Sequence, residues 1–400
     1  MSELFRLDNP IKHYPWGCPH SIPELLGLKG DGSPWAELWM GAHSASPSRT
    51  MDGPGLDKLI AAEPVRYLGE KAAKQYGALP FLFKLLAAEK PLSIQAHPNL
   101  AQAREGFERE NRAGIPLDAP NRSYKDQNHK PEIICALTPF TGLCGFRSPD
   151  TIRRLFAAFL DPAPAAMKEG LSPLLETLAP AGGAQPEALR HFLNELFGLS
   201  PAVCKMLTEY IHSANGESAE AKLMRNFAAQ YPGDPAVTAP LYLNVFRLEP
   251  GEAVFLKAGT LHAYCDGFGV ELMANSDNVL RGGLTGKHID LPELMKVLDF
   301  NPSAPRIIKP PPDAPGGVSC FTYPASCENS SREEFSLSVI HGKGGAAPYP
   351  LTGPSIGIVT EGEMRIGDTV LKRGESVFMP PAPEKIPLSG SFTFYIASLP

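Results

Sequence analysis

Between residues 239 and 262 the chain reads APLYLNVFRLEPGEAVFLKAGTLH. Its apolar runs, LYLNVF and AVFL, stop short at Pro250-Gly251 and at Lys257-Ala258-Gly259. Proline removes a ladder donor and glycine supplies turns, so this pattern predicts short strands joined tightly. The same texture returns at residues 356–381, IGIVTEGEMRIGDTVLKRGESVFMPP. Such runs suggest a sandwich or a jelly roll.

Working outward, 400 residues exceed what one hydrophobic core usually supports, which predicts two or three packed units. The 42 prolines are about twice the usual share and disfavour a helical bundle. The formal charge is −6, with 37 Lys plus Arg against 43 Asp plus Glu and no basic run. That balance excludes a nucleic-acid binder but not an anionic small molecule met by a few convergent lysines. No stretch approaches 18 apolar residues, and MSELFRLDNPIKHYPWG has no apolar signal region, so neither a membrane span nor secretion is expected. Seven cysteines without a CxxC pair argue against a disulfide scaffold and for a reduced, cytoplasmic protein.

Residues 148–238 read differently. Ser148-Pro149-Asp150 is a helix start, and Ile152, Leu155, Phe156, Phe159 and Leu160 share one helical face. Leu189, Phe192, Leu193, Leu196 and Phe197 repeat the spacing, and Ser200-Pro201 opens a further helix. The expected organisation is a β unit over 1–147 and 239–301, a helical block inserted at 148–238, and a separate β unit over 302–400. KPPPDAPGG, at residues 309–317, reads as the linker to that last unit.

Three segments carry candidate chemistry. Strand alternation puts Ser93, Gln95 and His97 on one face, and Lys130 and Glu132 on another. With His262, these offer two imidazoles and two oxygen donors, a set that suits zinc and tolerates other divalent first-row ions. Each residue alone reads equally well as a solvated or core-bonded polar group. Cys135 and Cys144 alternate with apolar neighbours and read as core.

Gly251, five residues, Lys257-Ala258-Gly259, two residues and His262 resemble the second cupin motif, with Lys257 where proline is usual. A degraded copy runs from Gly374 through Pro380 and Ala382 to Lys385, which stands at the histidine position. The implied fold is mainly β with an inserted helical domain: two cupin-type jelly rolls plus an α-helical block, the second roll without a metal. YCDGFGVELMANSDNVLRGGLTGKHID (264–290) resembles the signature of type I phosphomannose isomerase. YPWG (14–17), AELWMGAHSASPS (36–48), PFLFKLLAAEKPLSIQAHPN (80–99) and NHKPEIICALTPF (128–140) extend that resemblance in order.

The resemblance implies one zinc per chain, held by Gln95, His97, Glu132 and His262. It implies interconversion of mannose 6-phosphate and fructose 6-phosphate through an enediol, with Arg281 as the active-site arginine. Lys130, His129 and Glu271 are candidates for proton transfer, and the choice among them stays open. Ser93, Lys84 and Lys287 are candidates for holding the phosphate. Trp16, Trp35, Trp39 and Tyr264 are expected in the core or pocket wall, and His43 is expected to be structural. The implied partner is a small sugar phosphate, bound by a cytoplasmic monomer. A non-catalytic sugar-phosphate sensor on the same fold is the main alternative, and Arg281, His129 and Lys130 together argue against it. A metal-dependent oxygenase is a second, opposed by Gln95 and Arg281.

Overall fold

The computed structural model describes residues 3–51, 53–178, 185–214, 216–311, 316–324 and 334–399. Within them, Phe81–Ala88, Glu132–Ala136 and His262–Ala274 form the middle of an 11-stranded sheet. Phe81–Ala88 and Glu132–Ala136 are buried throughout, as their unbroken apolar runs require. His262–Ala274 changes partners along its length, with an irregularity between Tyr264 and Asp266. Its first residues pair with Gln95–Ala96 and Phe140–Phe146, with His262 opposite Gln95. Its later residues pair with Phe81–Ala88 and Glu132–Ala136, setting Glu271 opposite Lys84 and Met273 opposite Glu132. The turns expected at Gly251 and Gly259 are present, at φ of 86° and 79°, where L side chains are strained. A Cβ on Gly259 would stand 2.9 Å from the Val297 carbonyl oxygen.

An eight-stranded sheet gathers Gly317–Thr322, Ser336–Tyr349, Ser355–Ile366, Thr369–Lys372, Ser376–Met379 and Ile386–Ser398. Two short N-terminal strands join it, Phe5–Asp8 and Arg49–Thr50, with Phe5 opposite Phe378. The expected boundaries are therefore crossed twice. Phe5–Asp8 covers the edge of the C-terminal sheet, while Ile307–Ile308, beyond residue 301, pairs with Ala253–Leu256. One apolar core also spans both sheets, including Leu7, Phe83, Val270, Ile308, Leu337, Ile356 and Tyr395. Residues 312–315 of the expected linker lie outside the described residues.

The helical segment holds Pro149–Leu160, Ala165–Glu176, Gln185–Phe197, Pro201–Ser213 and Ala219–Gln230. The hydroxyls of Ser148, Ser200 and Ser218 accept from the backbone N–H of Thr151, Val203 and Ala221, caps of about 1 kcal/mol each. Ile152, Phe156, Leu189, Phe192 and Leu193 pack together and continue into Ile94, Leu143 and Leu284 beside the first sheet. The helices are thus anchored against the segments that carry Gln95 and Arg281. Among the described residues, no helix is long and apolar enough to cross a membrane.

Candidate metal centre and cleft

His97, Glu132 and His262 come from three separate segments, and their donor atoms lie within 4.8 Å of one another. All are buried. Each imidazole is fixed by its far nitrogen: His97 Nδ1 lies 2.7 Å from the Asn278 carbonyl oxygen and His262 Nδ1 2.8 Å from that of Thr260. A carbonyl only accepts, so both Nδ1 atoms carry the proton and both Nε2 lone pairs point inward. Among the described residues, His97 Nε2 and His262 Nε2 are buried without a hydrogen-bond partner, and Glu132 Oε2 has only the Lys130 ammonium beside it. Buried lone pairs left in this way cost a few kcal/mol unless something binds them, and two imidazoles with a carboxylate are a zinc donor set.

The charges around the trio agree. Burial pushes the Glu132 carboxyl up, but the ammonium of Lys130 beside it holds it well below the usual range. Lys130 Nζ is 3.2 Å from Glu132 Oε2, and the Tyr264 hydroxyl donates to Oε1 at 3.2 Å. Burial and the nearby Lys130 push His97 down from 6.5 to about 4. In zinc-free protein this has a testable sign. The unfolded chain takes up a proton near pH 6.5 that folded His97 refuses until about pH 4, so stability falls across that window and then levels off. The expected loss is about 3 kcal/mol, readable in denaturant midpoints from pH 7 to pH 4. Midpoints that stay flat or rise on acidification would contradict a neutral, buried His97.

The cleft beside the trio has a volume of about 710 Å³ and is lined by Ser93, Gln95, Lys84, Lys130, Glu271, Arg281 and Lys287, all expected site residues. Gln95 is opposite both His262 and Arg281 in its pairing, next to the trio. Lys84, a candidate for holding the phosphate, is engaged inside the protein. It is buried, 2.7 Å from Glu271 and 3.7 Å from Glu37, and those carboxylates outweigh burial to raise its pKa. Burial raises the Glu271 carboxyl in turn. His129 is not part of the cleft lining. Its Nε2 sits 2.5 Å from Glu334 Oε2 of the C-terminal region. His43 pairs with Asp277 at 3.4 Å, and Asp277, Trp16, Trp39 and Tyr264 line the cleft. Trp35 does not line it and packs on the core spanning both sheets.

Sequence reasoning missed three residues here. Lys125 lines the cleft with Arg281 and Lys287, and among the described residues none of the three has a carboxylate partner within ion-pair distance. Burial pulls down Arg281 and, aided by Arg281 and Lys125, Lys287, as expected of cations gathered without a counter-ion. Asp234, at the end of the helical segment, accepts the Leu284 N–H at 2.7 Å and holds that residue at φ 52°. Gly283 allows the approach, since a Cβ there would stand 2.2 Å from Ala236 Cβ. Asn278, fully buried, knits residues 125–128 to the loop before Arg281. None of these pairings is local in sequence, so no spacing could announce them.

The description of the phosphomannose isomerase type I catalytic domain matches residues 4–149. The mannose-6-phosphate isomerase of Escherichia coli K12 is 42% identical over 316 residues, covering 74% of each chain. That of Salmonella typhimurium is 36% identical over 415 residues, covering 98% of each. Among solved structures, a zinc-bound holo mannose 6-phosphate isomerase superposes with a TM-score of 0.86 at 33% identity, covering 99% of both chains. The apo form from Salmonella typhimurium gives 0.85 at 35%, covering 100% of both. With likeness at that level along its full length, the chain belongs to the type I phosphomannose isomerase family.

Proposed function

We propose that this chain is a zinc-dependent aldose–ketose isomerase that interconverts mannose 6-phosphate and fructose 6-phosphate through an enediol. The observation that carries the reading is the buried His97–Glu132–His262 trio beside a cleft whose Lys125, Arg281 and Lys287, among the described residues, have no carboxylate partner. Its volume, about 710 Å³, suits a small ligand. Gln95, His97, Glu132 and His262 would hold the zinc, one per chain. Zinc bound there supplies a Lewis acid for the negative charge that develops on a sugar oxygen.

The remaining steps fall to the chain's own side chains. Lys125 and Lys287 grip the phosphate as point charges, with Ser93 as a hydroxyl donor. Arg281 stays cationic and stabilises the enediolate. Glu271 suits proton transfer between C2 and C1: it lines the cleft, burial raises its carboxyl, and a carboxylate can take and return a proton. Lys84, held protonated against it, orients that carboxylate, and Lys130 adds positive charge beside Glu132. The architecture that goes with this reading is two cupin-type jelly rolls, a catalytic one over 1–147 and 239–301 and a second over 302–400, with helices at 148–238 between strands of the first. Phe5–Asp8 is lent to the second roll. A cytoplasmic monomer fits the six described cysteines, all free thiols.

Turnover of mannose 6-phosphate in deuterated water tests the reaction type. Deuterium is expected at C1 of fructose 6-phosphate and at C2 of the returned aldose, seen by NMR. Brisk turnover with no label at all would replace the enediol with a hydride shift.

A further inference from the structure

We infer that Asn278 is the positioning residue that couples the imidazole of His97 to the cationic rim of the cleft; this rests on the zinc-isomerase reading above. The residue is fully buried, and its amide is saturated. Its Oδ1 accepts from the backbone N–H of Lys125 at 2.7 Å and of Asp126 at 3.2 Å. Its Nδ2 donates to the carbonyl oxygens of Asp126 at 2.9 Å and Asn128 at 2.8 Å, and to Asp126 Oδ1 at 3.2 Å.

Residues 125–128 lie in no helix or strand, so their backbone groups need partners from elsewhere. The Asn278 side chain acts as that partner, replacing a strand with a single amide. The segment it holds presents Lys125 to the cleft and leads directly into Lys130 and Glu132. The main chain of the same residue does the other half of the work. Its carbonyl accepts from His97 Nδ1 at 2.7 Å, which fixes the tautomer and aims Nε2 at the donor trio. Ser276 and Asp126 brace the arrangement: the Ser276 hydroxyl donates to Asp126 Oδ1 at 2.9 Å and accepts the Asn278 N–H at 3.2 Å. Metal end and phosphate end are therefore joined through one residue, its carbonyl on His97 and its side-chain amide on residues 125–128.

The test is Asn278→Asp, which keeps the shape and the acceptor but loses both donors and turns a carboxylate toward Asp126. Asn278→Ser serves as the milder variant, should the first not fold. Zinc affinity is read by competition with a chromophoric chelator, beside KM and kcat at saturating zinc. Zinc affinity should weaken by roughly 10–100-fold and KM should rise by about tenfold, with kcat at saturation changing less. A control in the helical core, Phe156→Leu, should lower Tm and leave both ratios unchanged. A folded Asn278 variant with native zinc affinity and native KM overturns the inference, and so does a control that shifts them equally. Failure of the isomerase reading is seen separately, in the native protein, as absent turnover.

Discussion

Arg281→Ala should lower kcat by about 10²–10³-fold while the protein keeps its zinc. Arg281 sits on the short strand Leu280–Arg281, opposite Gln95, so its guanidinium is delivered to the cleft beside the proposed metal ligands. It is half-buried, and among the described residues no carboxylate is paired with it. A buried cation without a counter-ion is costly in the free protein and becomes useful when an anion forms in front of it. Enediolate charge exists mainly in the transition state, so the loss should fall on kcat more than on KM. In free energy the range is about 3–4 kcal/mol. Arg281→Lys keeps the charge without the planar fork and should rescue only part of it. Because guanidinium does not ligate zinc, metal content is the internal control. Near-native kcat in a zinc-loaded Arg281→Ala would make the arginine structural.

His262→Ala should remove most of the metal and, with it, the activity. Its ring is 1% exposed, with Nε2 2.9 Å from Glu132 Oε1 and Nδ1 held by the Thr260 carbonyl. Its loss leaves His97 and Glu132 without the second imidazole and opens a hole beside the buried Glu132 carboxylate. Changes to groups that only orient ligands cost 10–100-fold in metal affinity, so deleting a ligand should cost more than about 100-fold. Elemental analysis of the folded variant, checked by circular dichroism, should show zinc far below one per chain. Full occupancy would take His262 out of the site.

What the sequence made legible was local. Ser148 and Ser200 announce helices because a capping hydroxyl followed by proline is a short-range signal, and both caps are present. Gly251 and Gly259 announce turns for the same reason, and the motif order reveals the family. What stayed hidden depends on distance along the chain. Lys84 was open to a phosphate role because its partner Glu271 is 187 residues away. His129 looked poised beside Glu132, but Glu334, 205 residues on, engages its ring. Phe5–Asp8 falls within the expected catalytic unit over 1–147, yet it pairs with Ser376–Met379 of the C-terminal sheet as well as with Arg49–Thr50. A two-residue strand such as Gln95–Ala96 is also too short for alternation to be decisive, although the residues it carries do meet at the cleft.

On the proposed reading, one zinc held by His97, Glu132 and His262 with Gln95 makes this cleft an isomerase. The measurement that tests it most directly is a coupled assay with mannose 6-phosphate on metal-stripped protein titrated with zinc. Turnover should be absent at the start, climb in proportion to added zinc, and stop rising at one zinc per chain. Zinc bound at that ratio without conversion of the sugar phosphate, or full turnover in the stripped protein, would contradict the account.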